Sequence, residues 1–220
     1  MGEPGKTRRY DNSRRQAQVR ATRAEVVDAA RRLFLERGYG ATTIEAIGQA
    51  ASIPLATIYR LFGSKRGILA AVLDVSFVGD DAPVPLHGRP LARAAIAEPD
   101  PRLLLAGFAR LAREVLGRTG QIQQVLRSAA AADPEAADLL ETINRQRVDG
   151  QSRVARALSE RDALADDMGE GEAVDIIYTL MSADVYRILT VDRGWDPDHY
   201  ERWLARTLCA ILLAPSAEGR

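Results

Sequence analysis

The stretch TTIEAIGQAASIPLATIYRLFGSKR, residues 42–66, limits the possible folds more than any other part of the chain. It contains two short segments with apolar residues at helical spacing, and a sharp break separates them. In the first segment Thr42 and Glu45 have the spacing of a capping box. In the second, Pro54 can occupy the first helical position, so the chain is predicted to turn at residues 52–53. The pattern therefore predicts a helix-turn-helix.

The second helix of this pair has two distinct faces. Ile58, Leu61 and Phe62 share one buried stripe. The residues left pointing outward are Leu55, Ala56, Tyr59 and Arg60. An outward arginine can donate two hydrogen bonds to O6 and N7 of guanine, and Leu55 and Ala56 can contact thymine methyl groups. Periodicity alone leaves another interpretation open, in which both helices belong to an ordinary helical core.

Further motifs surround the pair and favour the first interpretation. The runs TRAEVVDAARRLFLERGYGATTIEAI, ATIYRLF and SKRGIL follow one another from Thr22 onward. In this order they resemble the DNA-binding module of the TetR family of bacterial transcriptional regulators, over about the first third of the chain. The chain departs from the family at residues 52–56, where members often carry Gly, a small apolar residue and Ser, then a polar or basic residue and Gly. This departure affects the turn and the base-reading surface.

Helix N-termini supply candidate phosphate contacts, because their first N–H groups have no partner within the helix. Thr42 or Thr43 begins the first short helix. Ser64 and Lys65 begin the helix that follows the second helix of the pair. The resemblance implies phosphate contacts by Thr43, Thr57, Tyr59 and Lys65.

Charge is distributed unevenly along a chain whose formal net charge is zero. Residues 1–68 carry 13 lysines and arginines against 6 acidic residues, and the remainder carries 17 against 24. This asymmetry would draw a polyanion to the N-terminal third. An architectural, low-specificity DNA-binding protein without a small-molecule ligand is the alternative function, since basic residues and phosphate contacts would serve it too. A helical scaffold that binds only proteins would leave the asymmetry unexplained.

The predicted fold is all-α, without strand signals. A helix over 22–38 should pack behind the helix-turn-helix, and the apolar stripes at 104–115 and 122–129 predict two further helices. The predicted organisation begins with a basic, disordered arm over 1–20 and a helix-turn-helix DNA-binding domain over 21–66. A helical regulatory and dimerisation domain follows over 67–214, and it includes a connecting helix at 67–78 and a loop at 79–90. Residues 215–220 form a tail. The arm is either a solvated tail or a basic extension along the duplex.

The last two predicted helices, over 174–189 and 203–212, are apolar over more than half of their circumference. Such helices must be buried on two sides, and the second side is predicted to face another copy of the chain. Burial within a single chain is the alternative. The residues predicted at this dimer interface are Val185, Leu189, Trp203, Leu204, Thr207, Leu208 and Ile211. A symmetric homodimer would read an inverted repeat of double-stranded DNA with half-sites about one helical turn apart.

The resemblance also implies a small-molecule effector that binds between the central helices and releases a repressor from its operator. Candidate ligand residues are Phe108, Leu111, Tyr178 and Met181, with the tyrosine supplying a polar group. Core packing is the competing interpretation for each of them, because Met and aromatic residues at helical spacing usually fill a core.

Several kinds of chemistry have no support in the sequence. Cys209 is the single cysteine and His87 and His199 are the two histidines, so no intrachain disulfide and no metal-ligand spacing arise. We expect no cofactor and no catalytic nucleophile-and-base constellation, and therefore no enzyme. No apolar run approaches the length of a membrane span or a signal peptide, so the expected location is the cytoplasm.

Overall fold

The computed structural model describes residues 5–78 and 90–215, and these residues are α-helical with no β-sheet. Within them, the helices are α1 Gly5–Ala41, α2 Ile44–Ala51, α3 Leu55–Phe62, α4 Lys65–Val78, α5 Pro90–Ala97, α6 Pro101–Ala130, α7 Pro134–Ser159, α8 Glu170–Leu180, α9 Ala183–Arg187 and α10 Pro197–Leu212. A π-helical turn, Ile188–Asp192, follows α9. The predicted all-α fold is confirmed.

The first hydrophobic core lies between α1, α2, α3 and α4. Phe34, Ile47 and Ile58 come from three of these helices, and each is at most 1% exposed. Ile122 and Leu126, near the end of α6, are fully buried in the same core. α1 and α4, which hold the helix-turn-helix, pack on the long central helix α6, so they connect the module to the larger domain.

The second hydrophobic core surrounds the first half of α6. Leu104 and Leu105 of this helix are fully buried against α5, α7, α8 and α10. The predicted division of residues 104–129 into two helices is wrong, because α6 continues through Gly117 and Gly120. A Cβ on Gly117 would meet the Tyr186 hydroxyl at 3.4 Å, so this glycine admits a close neighbour instead of ending the helix.

The start of the chain also differs from the prediction. The backbone is helical from Gly5, so the prediction of a disordered arm is not met over residues 5–20; residues 1–4 lie outside the described part. No Pro or Gly interrupts the chain between Gly5 and Gly38, and its Arg, Gln and Ala residues favour a helix. The predicted stop at Gly38 is present as a break with φ +77°. Residues 79–89, which contain most of the predicted loop, lie outside the described residues.

The helix predicted over 174–189 is interrupted. α8 ends at Leu180, and Ser182 caps α9 by accepting the N–H of Val185 on its hydroxyl oxygen at 3.2 Å. A serine that bonds to the backbone in this way competes with continuation of the helix. The π-helical turn then changes the direction of the residues after Arg187, which decides the surface that they present.

Candidate DNA interface and central cavity

A left-handed residue and a close glycine contact form the turn between α2 and α3. Ser52 adopts φ 57° and ψ 33°, and its N–H donates to the Gln49 carbonyl at 3.2 Å. A Cβ on Gly48 would lie 3.1 Å from the Ile53 carbonyl oxygen, so the glycine allows the turn to approach α2. The turn thus falls at residues 52–53, as predicted. Pro54 is not the first helical residue as predicted; it precedes α3, because its ψ of 139° is extended.

The outward side of α3, which we call the α3 outer face, consists of Leu55, Ala56, Tyr59 and Arg60. Leu55 and Tyr59 are 38% and 48% exposed, and Ala56 and Arg60 are also exposed. On the opposite side, Ile58 is buried in the first core. Because the major groove of DNA admits an α-helix, this face has the exposure that base contacts require.

Thr42 and Thr43 lie in different environments. Thr42 is fully buried, and its hydroxyl donates to the Gly38 carbonyl at 2.8 Å and lies 3.2 Å from the Leu33 carbonyl oxygen. Thr43 is exposed and caps α2, accepting a backbone N–H on its hydroxyl oxygen at 3.1 Å. The capping box predicted from Thr42 and Glu45 is therefore wrong, because Thr42 is used to close the end of α1. Of the two hydroxyls, only that of Thr43 faces solvent.

The start of α4 is held by two side chains. The Ser64 hydroxyl oxygen accepts the N–H of Gly67 at 3.2 Å. The Lys65 ammonium donates to the Tyr39 carbonyl at 2.9 Å and lies 4.2 Å from the centroid of the Tyr39 ring. Lys65 is thus fixed at the junction of α1 and α4, next to the C-terminal end of α3. Thr57, the remaining residue of the predicted DNA contacts, is half-buried on α3.

Tyr39 provides a spectroscopic test of this junction. Burial raises the pKa of Tyr39 from 10.0 to about 12, with smaller contributions from the negative charges of Asp133 and Glu135. Above the unfolded pKa, the unfolded chain loses this proton while the folded chain keeps it, so the associated stability is lost as pH rises toward 12. In an ultraviolet difference titration between wild type and Tyr39→Phe, we expect one phenol that ionises near pH 12. Ionisation at the value of a free tyrosine would contradict the packing described here.

α4, α5, α6 and α7 surround a cavity of about 530 Å³, which we call the central cavity. Three of the four predicted ligand residues line it, namely Phe108, Leu111 and Met181. Tyr178 lies outside the wall, because the Arg147 guanidinium covers its ring at 4.2 Å from the centroid. The same guanidinium donates to the Tyr178 carbonyl at 3.1 Å. The polar group predicted for this site is therefore not presented to the cavity.

Two of the predicted interface residues are inside the chain. Leu204 and Leu208 are fully buried in the second core, together with Tyr200 and Leu212. These four residues are spaced four apart, so they form a single column on α10. Leu204 and Leu208 therefore stabilise the single chain, and their prediction as contacts with a second copy is corrected.

The flank of α10 next to this column is partly open. Trp203 and Thr207 are half-buried, and Ile211 is 41% exposed. The predicted interface residues before the π-helical turn, Val185 and Leu189, are also half-buried and pack against the second core.

Two exposed apolar residues in the π-helical turn after α9 were not predicted from the sequence as interface residues. Ile188 is 44% exposed and Val191 is 70% exposed. Ile188 belonged to the apolar stripe of the continuous helix predicted over 174–189. The π-helical turn breaks the regular spacing on which that stripe depends, so Ile188 is directed outward.

The described residues contain neither a metal-ligating cluster nor a membrane-spanning helix. No group of three or more His, Cys, Asp and Glu residues in residues 5–78 and 90–215 is arranged to hold a metal ion. Within the same ranges, no helix has the length and apolar character that spanning a membrane requires.

A short helix exposed on one side, held by a tight turn against two supporting helices, defines a helix-turn-helix DNA-binding module. The model of the tetR family of bacterial regulatory proteins matches residues 26–72. The HTH-type transcriptional regulator TtgR of Pseudomonas putida is 25% identical over 214 residues, covering 92% of this chain and 97% of TtgR. The uncharacterized HTH-type transcriptional regulator YvkB of Bacillus subtilis is 40% identical over 55 residues, covering 25% of this chain and 29% of YvkB.

Solved structures share the fold over most of the chain. SmeT in its complex with triclosan has a TM-score of 0.69 at 19% identity, covering 89% of this chain and 93% of SmeT. NalD, the secondary repressor of the MexAB-OprM multidrug efflux pump in Pseudomonas aeruginosa, has a TM-score of 0.66 at 20% identity, covering 88% of this chain and 97% of NalD. The N-terminal part of the chain is thus a helix-turn-helix DNA-binding module of the kind found in the TetR family of bacterial transcriptional regulators.

Proposed function

We propose that this protein is a homodimeric repressor that binds an inverted-repeat operator and leaves it when a small molecule occupies the central cavity. The observation that carries the proposal is the exposure of the α3 outer face. There Arg60 would donate to guanine, and Leu55 and Ala56 would contact thymine methyl groups. Because these side chains are exposed while Ile58 anchors the helix from behind, the helix can enter the major groove without unfolding.

Phosphate contacts would position this face. Thr43 offers an exposed hydroxyl at the start of α2, and Tyr59 an exposed phenol. Lys65, held by Tyr39, would present its ammonium at a fixed place. Ser64 lies next to Lys65 in the chain and Thr57 lies on α3, and both would supply further phosphate contacts. Thr42 is left out of the proposed contacts, because its hydroxyl and its N–H are both bonded to carbonyls of α1.

Specific recognition would require two copies of the module. One short helix contacts too few base pairs for useful specificity, whereas a symmetric pair reads both halves of an inverted repeat. Exposed Ile188 and Ile211, with partly open Trp203 and Thr207, supply apolar surface for a second copy. Proteins of the TetR family function as dimers, which supports the same arrangement.

The central cavity is connected to the module through two helices. Phe77 of α4 lines the cavity, and α4 begins at the module with Lys65. Arg66 donates to the Glu135 carbonyl at 3.0 Å, which joins the start of α4 to the start of α7. An occupant that displaced α4 or α7 would therefore change the position of α3. The complex of SmeT with triclosan supports the proposal of a small-molecule effector.

Substitution of Arg60 tests the reading function. Arg60→Ala is expected to cost about 1–3 kcal/mol on the preferred operator and to relax its sequence preference, because a bidentate contact to guanine is lost. Lys65→Ala is expected to weaken binding to all sequences alike and to reduce the salt dependence by about one unit, because a phosphate contact is lost. Both effects can be measured by titration against operator and scrambled duplexes at several salt concentrations.

Equal losses by Arg60→Ala on operator and scrambled duplexes would contradict base reading. The operator itself is obtained by selecting bound fragments from random duplex DNA, where the proposal expects an inverted repeat. A protein that selects no sequence and binds all duplexes equally would instead fit the low-specificity architectural function. Screening small molecules for release of the selected duplex tests the effector half of the proposal.

A further inference from the structure

The central cavity contains a buried polar atom that has no partner among residues 5–78 and 90–215. Gln151, on α7, is 6% exposed and lines the cavity. Its side-chain oxygen Oε1 makes no hydrogen bond to any residue that the structure describes. A buried acceptor without a donor loses its hydrogen bonds to water and forms none within the protein, which lowers the free energy of unfolding. An occupant that donates a hydrogen bond to this oxygen would remove that penalty.

The other buried amide in the cavity wall is already engaged. The Nε2 group of Gln123 donates to the Thr119 hydroxyl oxygen at 2.7 Å, within α6. Among the described residues, Gln151 is thus the buried side chain of the cavity wall whose acceptor oxygen has no hydrogen-bond donor. An O–H or N–H group of an occupant would complete this hydrogen bond.

The charges around the cavity do not favour a charged occupant. Its wall contains Asp74 and Asp149 against Arg147 and Arg153, so the formal charges cancel. The Arg147 guanidinium is held by the Tyr178 and Met181 carbonyls, at 3.1 and 3.5 Å. Most of the remaining wall is aliphatic or aromatic, which suits a mainly apolar molecule.

We propose that Gln151 is the specificity-determining residue of the central cavity, and that the effector is an uncharged, mainly apolar molecule whose hydroxyl or N–H group donates to Gln151 Oε1. This inference rests on the proposed effector function of the cavity. A cavity of about 530 Å³ has the size of sites that enclose drug-sized molecules. A site built to accept a hydrogen bond discriminates strongly against analogues that lack the donor, since its own polar group is then left unpaired.

The inference can be tested with three probes that share one apolar body. 4-Phenylphenol has the donor, 4-methoxybiphenyl lacks it, and biphenyl-4-carboxylate carries a charge. With the full-length protein in a calorimetric titration, we expect the phenol to bind at least about tenfold more tightly than the ether or the carboxylate. Equal binding of phenol and ether, tighter binding of the carboxylate, or no binding of any probe would overturn the inference.

A variant pair assigns the discrimination to one residue. Gln151→Leu keeps the size of the side chain and removes the acceptor, so phenol and ether should bind with affinities within about twofold of each other. Gln146→Leu is the matched control, because Gln146 lines the same cavity on the same helix but is exposed. This control should keep the tenfold preference. Preference that survives Gln151→Leu, or disappears in Gln146→Leu, would refute the role of Gln151; Gln151→Met replaces the leucine variant if that fails to fold.

Release of DNA is measured separately, so that the two proposals can fail independently. If the phenol binds through Gln151 but leaves the selected operator complex intact, the inference about Gln151 stands and the effector function fails. If other small molecules release the operator while the phenol and the ether bind alike, the effector function stands and the role of Gln151 fails.

Discussion

The double substitution Ile188→Glu and Ile211→Glu is expected to convert the proposed dimer into folded monomers and to reduce operator affinity at least about a thousandfold. Both side chains are exposed in the single chain, at 44% and 41%, so the fold does not need them. Between two copies, however, each glutamate would bury a charge without a partner. A monomer has one α3 outer face and would lose the second half-site. Sedimentation and operator titration measure the two effects.

The control is a pair of equally apolar, exposed residues elsewhere in the same domain. Leu103, on α6, is 57% exposed and Val148, on α7, is 40% exposed. Leu103→Glu with Val148→Glu should leave both the sedimentation coefficient and the operator affinity unchanged. If Ile188→Glu with Ile211→Glu sediments as wild type does, the proposed interface is wrong. Leu208→Asp is not a useful test, because this fully buried side chain belongs to the chain's own core.

The substitution Gly67→Ala is expected to destabilise the helix-turn-helix by about 2–3 kcal/mol and to lower operator affinity. A Cβ at this position would overlap the carbonyl oxygen of Phe62, the last residue of α3. Because this neighbour is backbone, relief requires α3 and α4 to move apart. The same movement would stretch the bond from the Gly67 N–H to the Ser64 hydroxyl oxygen. Denaturant unfolding measures the loss of stability, and operator titration measures the displacement of α3.

Gly171→Ala is the matched control for this prediction. Gly171 lies in the first turn of α8, and a Cβ there would meet no atom within 4 Å. The alanine should therefore be neutral or stabilise the chain by up to about 1 kcal/mol, since alanine favours the helix more than glycine does. A Gly67→Ala variant as stable as this control would show that α3 and α4 tolerate the extra atom.

The DNA-binding module was largely predictable from the sequence because its signals are local. The position of the turn, the outward side of α3 and the start of α4 follow from spacing within residues 42–66. The errors in this region displace a predicted feature by one residue; for example, the N-cap of α2 is Thr43 and not Thr42. Thr42 does not cap α2 because its buried hydroxyl donates a hydrogen bond to the Gly38 carbonyl near the end of α1.

The larger domain was less predictable because apolar spacing does not say what covers each face. Leu208 and Ile211 carry the same signal in the sequence, yet one is fully buried and the other is 41% exposed. The cavity gave a similar result. Phe108 and Met181 line it as predicted for ligand residues, whereas the unpaired atom belongs to Gln151, a polar residue with no motif around it.

The sequence by itself determined the helical class, the resemblance of the first third to the TetR family, the location of the helix-turn-helix and the side of α3 that faces outward. These follow from capping residues, turn residues and the 3.6-residue period, which act over a few positions. Only the tertiary structure decided which residues line the central cavity and which apolar residues stay exposed for a second copy. It also decided the hydrogen bond between Arg66 and Glu135 that joins α4 to α7. Those features depend on contacts between helices that are far apart in the chain, and such contacts leave no local pattern in the sequence.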